Sequence, residues 1–231
     1  MNRNFTAFCA AMFASALLIA FCGGFWLKGS VIALADTPSP TVKTVYLTFD
    51  DGPSDKVTPK ILDVLKEENV KATFFIIGRQ AQTRMGLLKR AFDEGHTLGV
   101  HSFSHEYKKI YASPESLLKD IDECNEVIKS VTGSFTDIYR FPGGSYGLSN
   151  QLISAVNSHG LRYVDWNASM RDAEIYNATP QQLYTAALDT AANSERIVLL
   201  AHDSTTKSST AEALQQIIRH YKAAGYLFSA F

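Results

Sequence analysis

The chain has 231 residues, with 22 Lys+Arg against 23 Asp+Glu. A near-neutral balance without a basic stripe or an acidic tail leaves no electrostatic footprint for nucleic acid. With 46% hydrophobic and 11% aromatic residues, the chain can bury one substantial core and is too apolar for a disordered segment.

The N-terminal stretch differs from the rest. Phe5 to Leu27 is a run of uncharged residues preceded by Arg3 and followed by Lys28, and Ala33-Leu34-Ala35 resembles a signal-peptidase site. Residues 1–35 therefore read as a secretory signal cleaved after Ala35. The apolar run exceeds the usual core of about 7–15 residues and could span a bilayer, so an uncleaved membrane anchor through residues 5–27 is the second reading. Both place the domain outside the cytoplasm, either secreted to the envelope or held on the outer face of the cytoplasmic membrane. Cys9 and Cys22 fall in this segment, leaving Cys124 alone, which forms no internal disulfide and reads as a buried apolar residue. Residues 36–43, "DTPSPTVK", are a short linker. A single domain follows, over 44–231.

Apolar runs then alternate with helical patterns. Strands are predicted at 44–49, 71–77, 97–100, 137–141, 161–166, 196–201 and 226–231. Helices are predicted at 58–68, 81–94, 114–131, 149–159, 180–193 and 209–224. Pro59, Pro114 and Pro180 follow Thr58, Ser113 and Thr179, the pairing of a capping hydroxyl with proline in the first turn. Gly95, Gly133, Gly160 and Gly225 stand where helices end. This alternation implies parallel βα units in a barrel or a doubly wound sheet, with reactive residues gathered beyond the carboxyl ends of the strands.

Polar clusters fall at those ends: Asp50-Asp51, His101 and His105 in "HSFSH", Arg140 in "RFPGGS", Asp165-Trp166, and His202-Asp203. His96 precedes its strand and reads as structural. Singly, each cluster has an ordinary explanation as a turn, a surface pair or a cap. The ordinary explanations would have to hold independently at every strand end. Asp50 and Asp51 are the most pointed case, since like charges about 4 Å apart repel by roughly 4 kcal/mol at an effective dielectric near 20. Two imidazoles and one carboxylate make a three-ligand metal set with an open position. A second Asp, oriented by Arg140, could then act as a base, and a histidine remote from the metal could protonate a leaving group. Such a set suits hydrolysis of an ester, an amide or a phosphate. A phosphatase built on D-x-D is disfavoured, because here the aspartates are adjacent.

"TFDDG", "HSFSH", "RFPGGS", "VDWN" and "LLAHD", in this order, resemble the motifs of the polysaccharide deacetylases, the NodB-homology enzymes of carbohydrate esterase family 4. The resemblance runs from about Thr44 to Phe231. It implies a distorted (β/α) barrel of seven or eight units and removal of acetyl from N-acetylated sugars. It also implies a divalent metal, usually zinc, on Asp51, His101 and His105. Asp50 would be the general base, positioned by Arg140; His202 would be the general acid, supported by Asp165. Trp166 and Leu200 would line the pocket for the acetyl methyl group, and the N–H of Gly143 would meet the oxyanion. Many members carry Pro-Tyr or Pro-Arg after the motif arginine, whereas Phe141, Pro142 and Gly143 stand here, so an aromatic or cationic wall is missing. The loop after Trp166 resembles a substrate-cleft segment, in which Arg171 and Asp172 either touch sugar or are simply solvated. The substrate implied is an N-acetylated envelope glycan, peptidoglycan first, through N-acetylglucosamine or N-acetylmuramic acid. Chitin or its oligosaccharides, and an inactive glycan-binding relative, are the alternatives.

Overall fold

The structure, a computed structural model, describes residues 42–231 apart from Asn193. The expected leader and most of the linker lie outside the described residues. Among those described, no helix is long and apolar enough to cross a membrane.

In chain order the elements are β1 (Thr44–Gly52), α1 (Thr58–Glu67), β2 (Thr73–Ile77), α2 (Gly78–Gln82), α3 (Met85–Asp93), β3 (Thr97–Ser102), α4 (Tyr107–Ile110) and α5 (Pro114–Thr132). They continue as β4 (Ile138–Tyr139), α6 (Asn150–Ser158), β5 (Arg162–Tyr163), β6 (Ala168–Ser169), α7 (Pro180–Ala191), β7 (Arg196–His202), α8 (Ser208–Ala223) and β8 (Leu227–Ser229). The sheet order is β5-β4-β3-β2-β1-β7-β6, with β8 against the start of β1, and every pairing is parallel. The sheet curls into a half-barrel whose ends are β5 and β6, the distorted barrel expected from the motifs.

The sequence pattern and the structure part in four places, of which the short helix α4, absent from the expected elements, is one. The helix expected at 81–94 is two helices, broken at Thr83–Arg84. The strands expected at 137–141 and 161–166 shrink to two paired residues each. β6 has no counterpart among the expected strands, because "NASM" carries no apolar run to announce it.

Local chemistry explains the helix ends. The Ser113 hydroxyl accepts from the N–H of Ser116, and Thr179 forms a reciprocal capping box with Gln182. Thr58 does not cap; α1 starts after Val57, and the Thr58 hydroxyl turns to Asp203 instead. Gly95, Gly133, Gly160 and Gly225 all take the left-handed conformation that ends a helix without a Cβ penalty.

Alternation along the strands separates two faces. Val45, Leu47, Phe49, Phe74, Ile76, Leu98 and Val100 point outward into the core beneath the helices. α5 lays Leu117, Ile121, Cys124 and Ile128 on this layer, at the spacing of one helical face. Each such buried aliphatic side chain contributes about 1.5–3 kcal/mol relative to exposure. Cys124 is fully buried, as its pattern suggested. The opposite face carries Thr48, Asp50, Phe75, His101, Leu200 and His202 into the hollow of the half-barrel. His96 sits at the far end, buried, accepting from the N–H of Ala72, with burial and then Lys71 holding it down at about 4.

Candidate active site

The register of the sheet gathers the predicted residues on one rim. Asp50 pairs with His202 across β1 and β7, and Val100 pairs with Tyr139, so the next residues, His101 and Arg140, emerge side by side.

Asp50 and Asp51 avoid each other by a change of backbone conformation. Asp51 lies at φ 72° in the left-handed region, which costs an L-residue roughly 1–2 kcal/mol and turns its carboxylate off the strand. Asp50 stays buried, and its Oδ1 accepts from Nη1 of Arg140 at 2.9 Å. Arg140 is itself fully buried. It also donates to Thr48 Oγ1 at 2.7 Å and to the carbonyl of Val164 at 2.8 Å, and its guanidinium lies over Phe75. A buried guanidinium with this many acceptors holds one orientation. Behind the pair, the N–H of Asp203 donates to the Asp50 carbonyl, and the Asp203 carboxyl accepts from Thr58. Burial, with Asp51 and Asp50 nearby, pushes Asp203 up to about 7. A Cβ on Gly52 would lie 2.1 Å from Asp203 Oδ2, so only glycine fits after Asp51.

Asp51 instead faces the histidines. Its Oδ1 is 3.5 Å from His101 Nε2 and 3.2 Å from His105 Nε2, and the ligand atoms of the three residues lie within 4.8 Å of one another. Nδ1 of His101 is 2.9 Å from the carbonyl of Arg140, so the proton belongs on Nδ1 and the Nε2 lone pair faces Asp51. Burial, against the pull of Asp50 and Asp51, lowers the His101 pKa and favours the neutral form a ligand requires. Like Asp51, His105 has a positive φ, 58°. These donors fit a divalent cation: one carboxylate oxygen and two imidazole nitrogens, with a face left open.

An unanticipated residue fixes this loop. Asp120 of α5 accepts from Ser102 Oγ, from the N–H groups of Phe103 and Ser104, and from Ser104 Oγ. Ser102 Oγ in turn accepts from the N–H of His105 at 2.8 Å. The signal was a carboxylate placed one residue before Ile121, on the inner edge of the apolar stripe of α5.

At the other side of the rim one expectation is overturned. Asp165 does not reach His202. Its carboxylate accepts from the N–H and hydroxyl of Ser145 and so pins the "PGGS" loop. The partner of His202 is Asp172, whose Oδ1 is 2.8 Å from His202 Nδ1 and whose Oδ2 accepts the His202 N–H at 2.8 Å. The cause is β6: Ser169 pairs with Leu200, so the chain travels beside β7 and delivers Asp172 next to His202. Asp172 is buried, accepts also from Thr210, and is no solvated loop residue.

Gly143, Trp166 and Leu200 lie within three residues of Arg140, Asp165 and His202 respectively. Gly143 is exposed, at φ 79°, and among the described residues its N–H donates to no protein acceptor. Trp166 packs against Gly144, where an added Cβ would come within 3.0 Å of its ring. Leu200 shares the inward face of β7 with His202.

The sequence profile of the family described as "Polysaccharide deacetylase" matches residues 37–164. The chain belongs to the polysaccharide deacetylases. It is 39% identical to the Bacillus subtilis polysaccharide-deacetylase homologue YheN, over 80% of this chain and 66% of that protein. It is 33% identical to the peptidoglycan N-acetylmuramic acid deacetylase of the same organism, over 81% of this chain and 70% of that one. The catalytic domain of the Eubacterium rectale peptidoglycan N-acetylglucosamine deacetylase superposes with a TM-score of 0.77 at 37% identity, covering 86% of this chain and 93% of that structure.

The profile match ends at Val164, short of the His202 side of the deacetylase site, where the electrostatics are distinctive. Burial works against a charge on His202 but is outweighed by the hydrogen bond and charge of Asp172, with help from Asp50 and Asp51, and the imidazole is raised to about 9. Asp172 is likewise buried, yet its bonds to His202 and Thr210 hold it below the usual carboxylate range. With Nδ1 engaged by Asp172, His202 can offer a proton from Nε2 to the hollow. The deacetylase site thus pairs a metal-binding triad and a carboxylate–guanidinium pair with a charged imidazole.

Proposed function

We propose that the domain over 44–231 removes N-acetyl groups from amino sugars of peptidoglycan, releasing acetate, with zinc on Asp51, His101 and His105. The carrying observation is that Asp50 and His202 are register partners on adjacent strands, one tied to Arg140 and the other to Asp172, beside the triad. The ion supplies a Lewis acid that acidifies water and polarises the acetyl carbonyl. Asp50 is the general base: Arg140 occupies its Oδ1, and Oδ2, 4.0 Å from His101 Nε2, faces the triad and takes the proton of the attacking water. The Gly143 N–H, without an acceptor among the described residues, meets the oxyanion. His202, charged at neutral pH and held by Asp172, protonates the departing sugar amine. Trp166 and Leu200 close around the acetyl methyl group. Peptidoglycan is favoured because relatives named for both of its amino sugars align across most of this chain. The apolar stretch of residues 5–27 supports an extracytoplasmic place, cleaved or anchored, where that polymer lies.

The test is acetate release from peptidoglycan fragments carrying N-acetylglucosamine or N-acetylmuramic acid, and from chitotetraose. Activity on peptidoglycan that disappears with chelator and returns with zinc is expected. Full activity in excess chelator removes the metal. Release from chitotetraose alone replaces peptidoglycan by chitooligosaccharide.

A further inference from the structure

Gly143 leaves the edge of the hollow without a side chain, and another residue stands in that space. Tyr107 opens α4 two residues after His105, and its ring meets the His105 imidazole edge-on, 5.3 Å between centroids. A Cβ placed on Gly143 would lie 3.3 Å from both Cε1 and the hydroxyl oxygen of Tyr107. The next ring in the row, Tyr111, packs edge-on against Tyr107 and donates its hydroxyl to the Pro142 carbonyl at 2.8 Å. The two tyrosines therefore link the histidine loop to the "PGGS" loop. Tyr111 is half-buried and spent on that bond. Tyr107 is 46% exposed although its ring is seated against the His105 imidazole, and among the described residues its hydroxyl has no protein partner. A ring fixed along one edge and bare on the remainder, with a free hydroxyl, is the surface a sugar ring and its hydroxyl groups engage.

We propose that Tyr107 forms the wall of the substrate cleft on the side Gly143 leaves open, its ring packing on the N-acetylated sugar and its hydroxyl donating a hydrogen bond to it. This rests on the deacetylase reading above and adds to it a residue that selects substrate.

The experiment compares Tyr107→Phe and Tyr107→Leu with the parent in three readouts. These are kcat and KM for acetate release from chitotetraose and from peptidoglycan fragments, zinc affinity by competition with a chelating dye, and calorimetric binding of each glycan in an Asp50→Asn background. Tyr107→Phe should raise KM about 3–10-fold, the worth of one neutral hydrogen bond, with zinc affinity unchanged. Tyr107→Leu should raise KM further and weaken glycan binding without turnover. Parental KM and glycan binding in both variants overturn the proposal. So does a loss that follows weakened zinc affinity, which would make Tyr107 a support for His105 only. If the parent releases no acetate, the deacetylase reading fails by itself. The binding arm then still decides: weaker glycan binding in Tyr107→Leu upholds the wall, and unchanged or absent parental binding overturns it.

Discussion

On the metal side of the rim, Asp50, Asp51 and His101 belong to β1 and β3, strands of nine and six residues, and Arg140 follows β4 directly. On the acid side, β5 and β6 contribute two paired residues each, and His202 is oriented by Asp172 from the loop beyond β6. Long strands fix where Asp50, His101 and, on the seven-residue β7, His202 stand, whereas the two-residue β6 decides which loop carboxylate meets His202. The two sides of one site thus depend on different kinds of information.

The largest effect should come from separating the two acid-side carboxylates. With His202 raised to about 9, the proposed acid is protonated below that value, and activity falls as pH rises through it. Asp172→Asn removes the charge that outweighs burial. It should lower kcat by about 10²–10⁴-fold, the usual worth of general acid catalysis, and move the alkaline limb to lower pH. Asp165→Asn should leave that limb in place, since its carboxylate serves Ser145. A limb that moves in Asp165→Asn, and not in Asp172→Asn, restores the assignment the structure overturned.

On the metal side the largest effect is on stability. Arg140→Met leaves the buried Asp50 carboxylate without its partner and should cost about 3–5 kcal/mol in urea unfolding. A cost below about 1 kcal/mol, the range of exposed pairs, would mean that water reaches Asp50 and the pair is not sealed.

A smaller effect is expected one layer out. Asp120→Asn keeps the shape but exchanges an acceptor oxygen for a donor, facing hydroxyl and N–H groups that need acceptors. Zinc affinity should fall about 10–100-fold, as for other groups that orient metal ligands. Unchanged affinity would show that the positive-φ turn at His105 holds the loop without α5.

These differences explain what was legible in the sequence. The αβ alternation, the glycine helix ends and the paired imidazoles of the metal triad could be read because each rests on local spacing or on a run of apolar residues, whereas the choice of Asp51 over Asp50 as their companion rested on the resemblance to the deacetylases. The partner of His202 could not. Asp165 looked correct by proximity to a strand end, but β6 is announced by no apolar run, and only its pairing of Ser169 with Leu200 brings Asp172 to the imidazole. Asp120 was hidden for the opposite reason: it lies in a strongly patterned helix, where one inward carboxylate is easily passed over as surface charge. Tyr107 was hidden because an exposed aromatic has no pattern at all until Gly143 is seen beside it.

The central claim is that two adjacent carboxylates divide their work, Asp51 toward the metal and Asp50 toward proton transfer. Zinc binding and acetate release, measured together on Asp50→Asn and Asp51→Asn, test it most directly. Asp50→Asn should bind one zinc ion with near-parental affinity and release almost no acetate, while Asp51→Asn should lose zinc affinity and activity together. Loss of zinc from Asp50→Asn, or robust acetate release by it, would contradict the division.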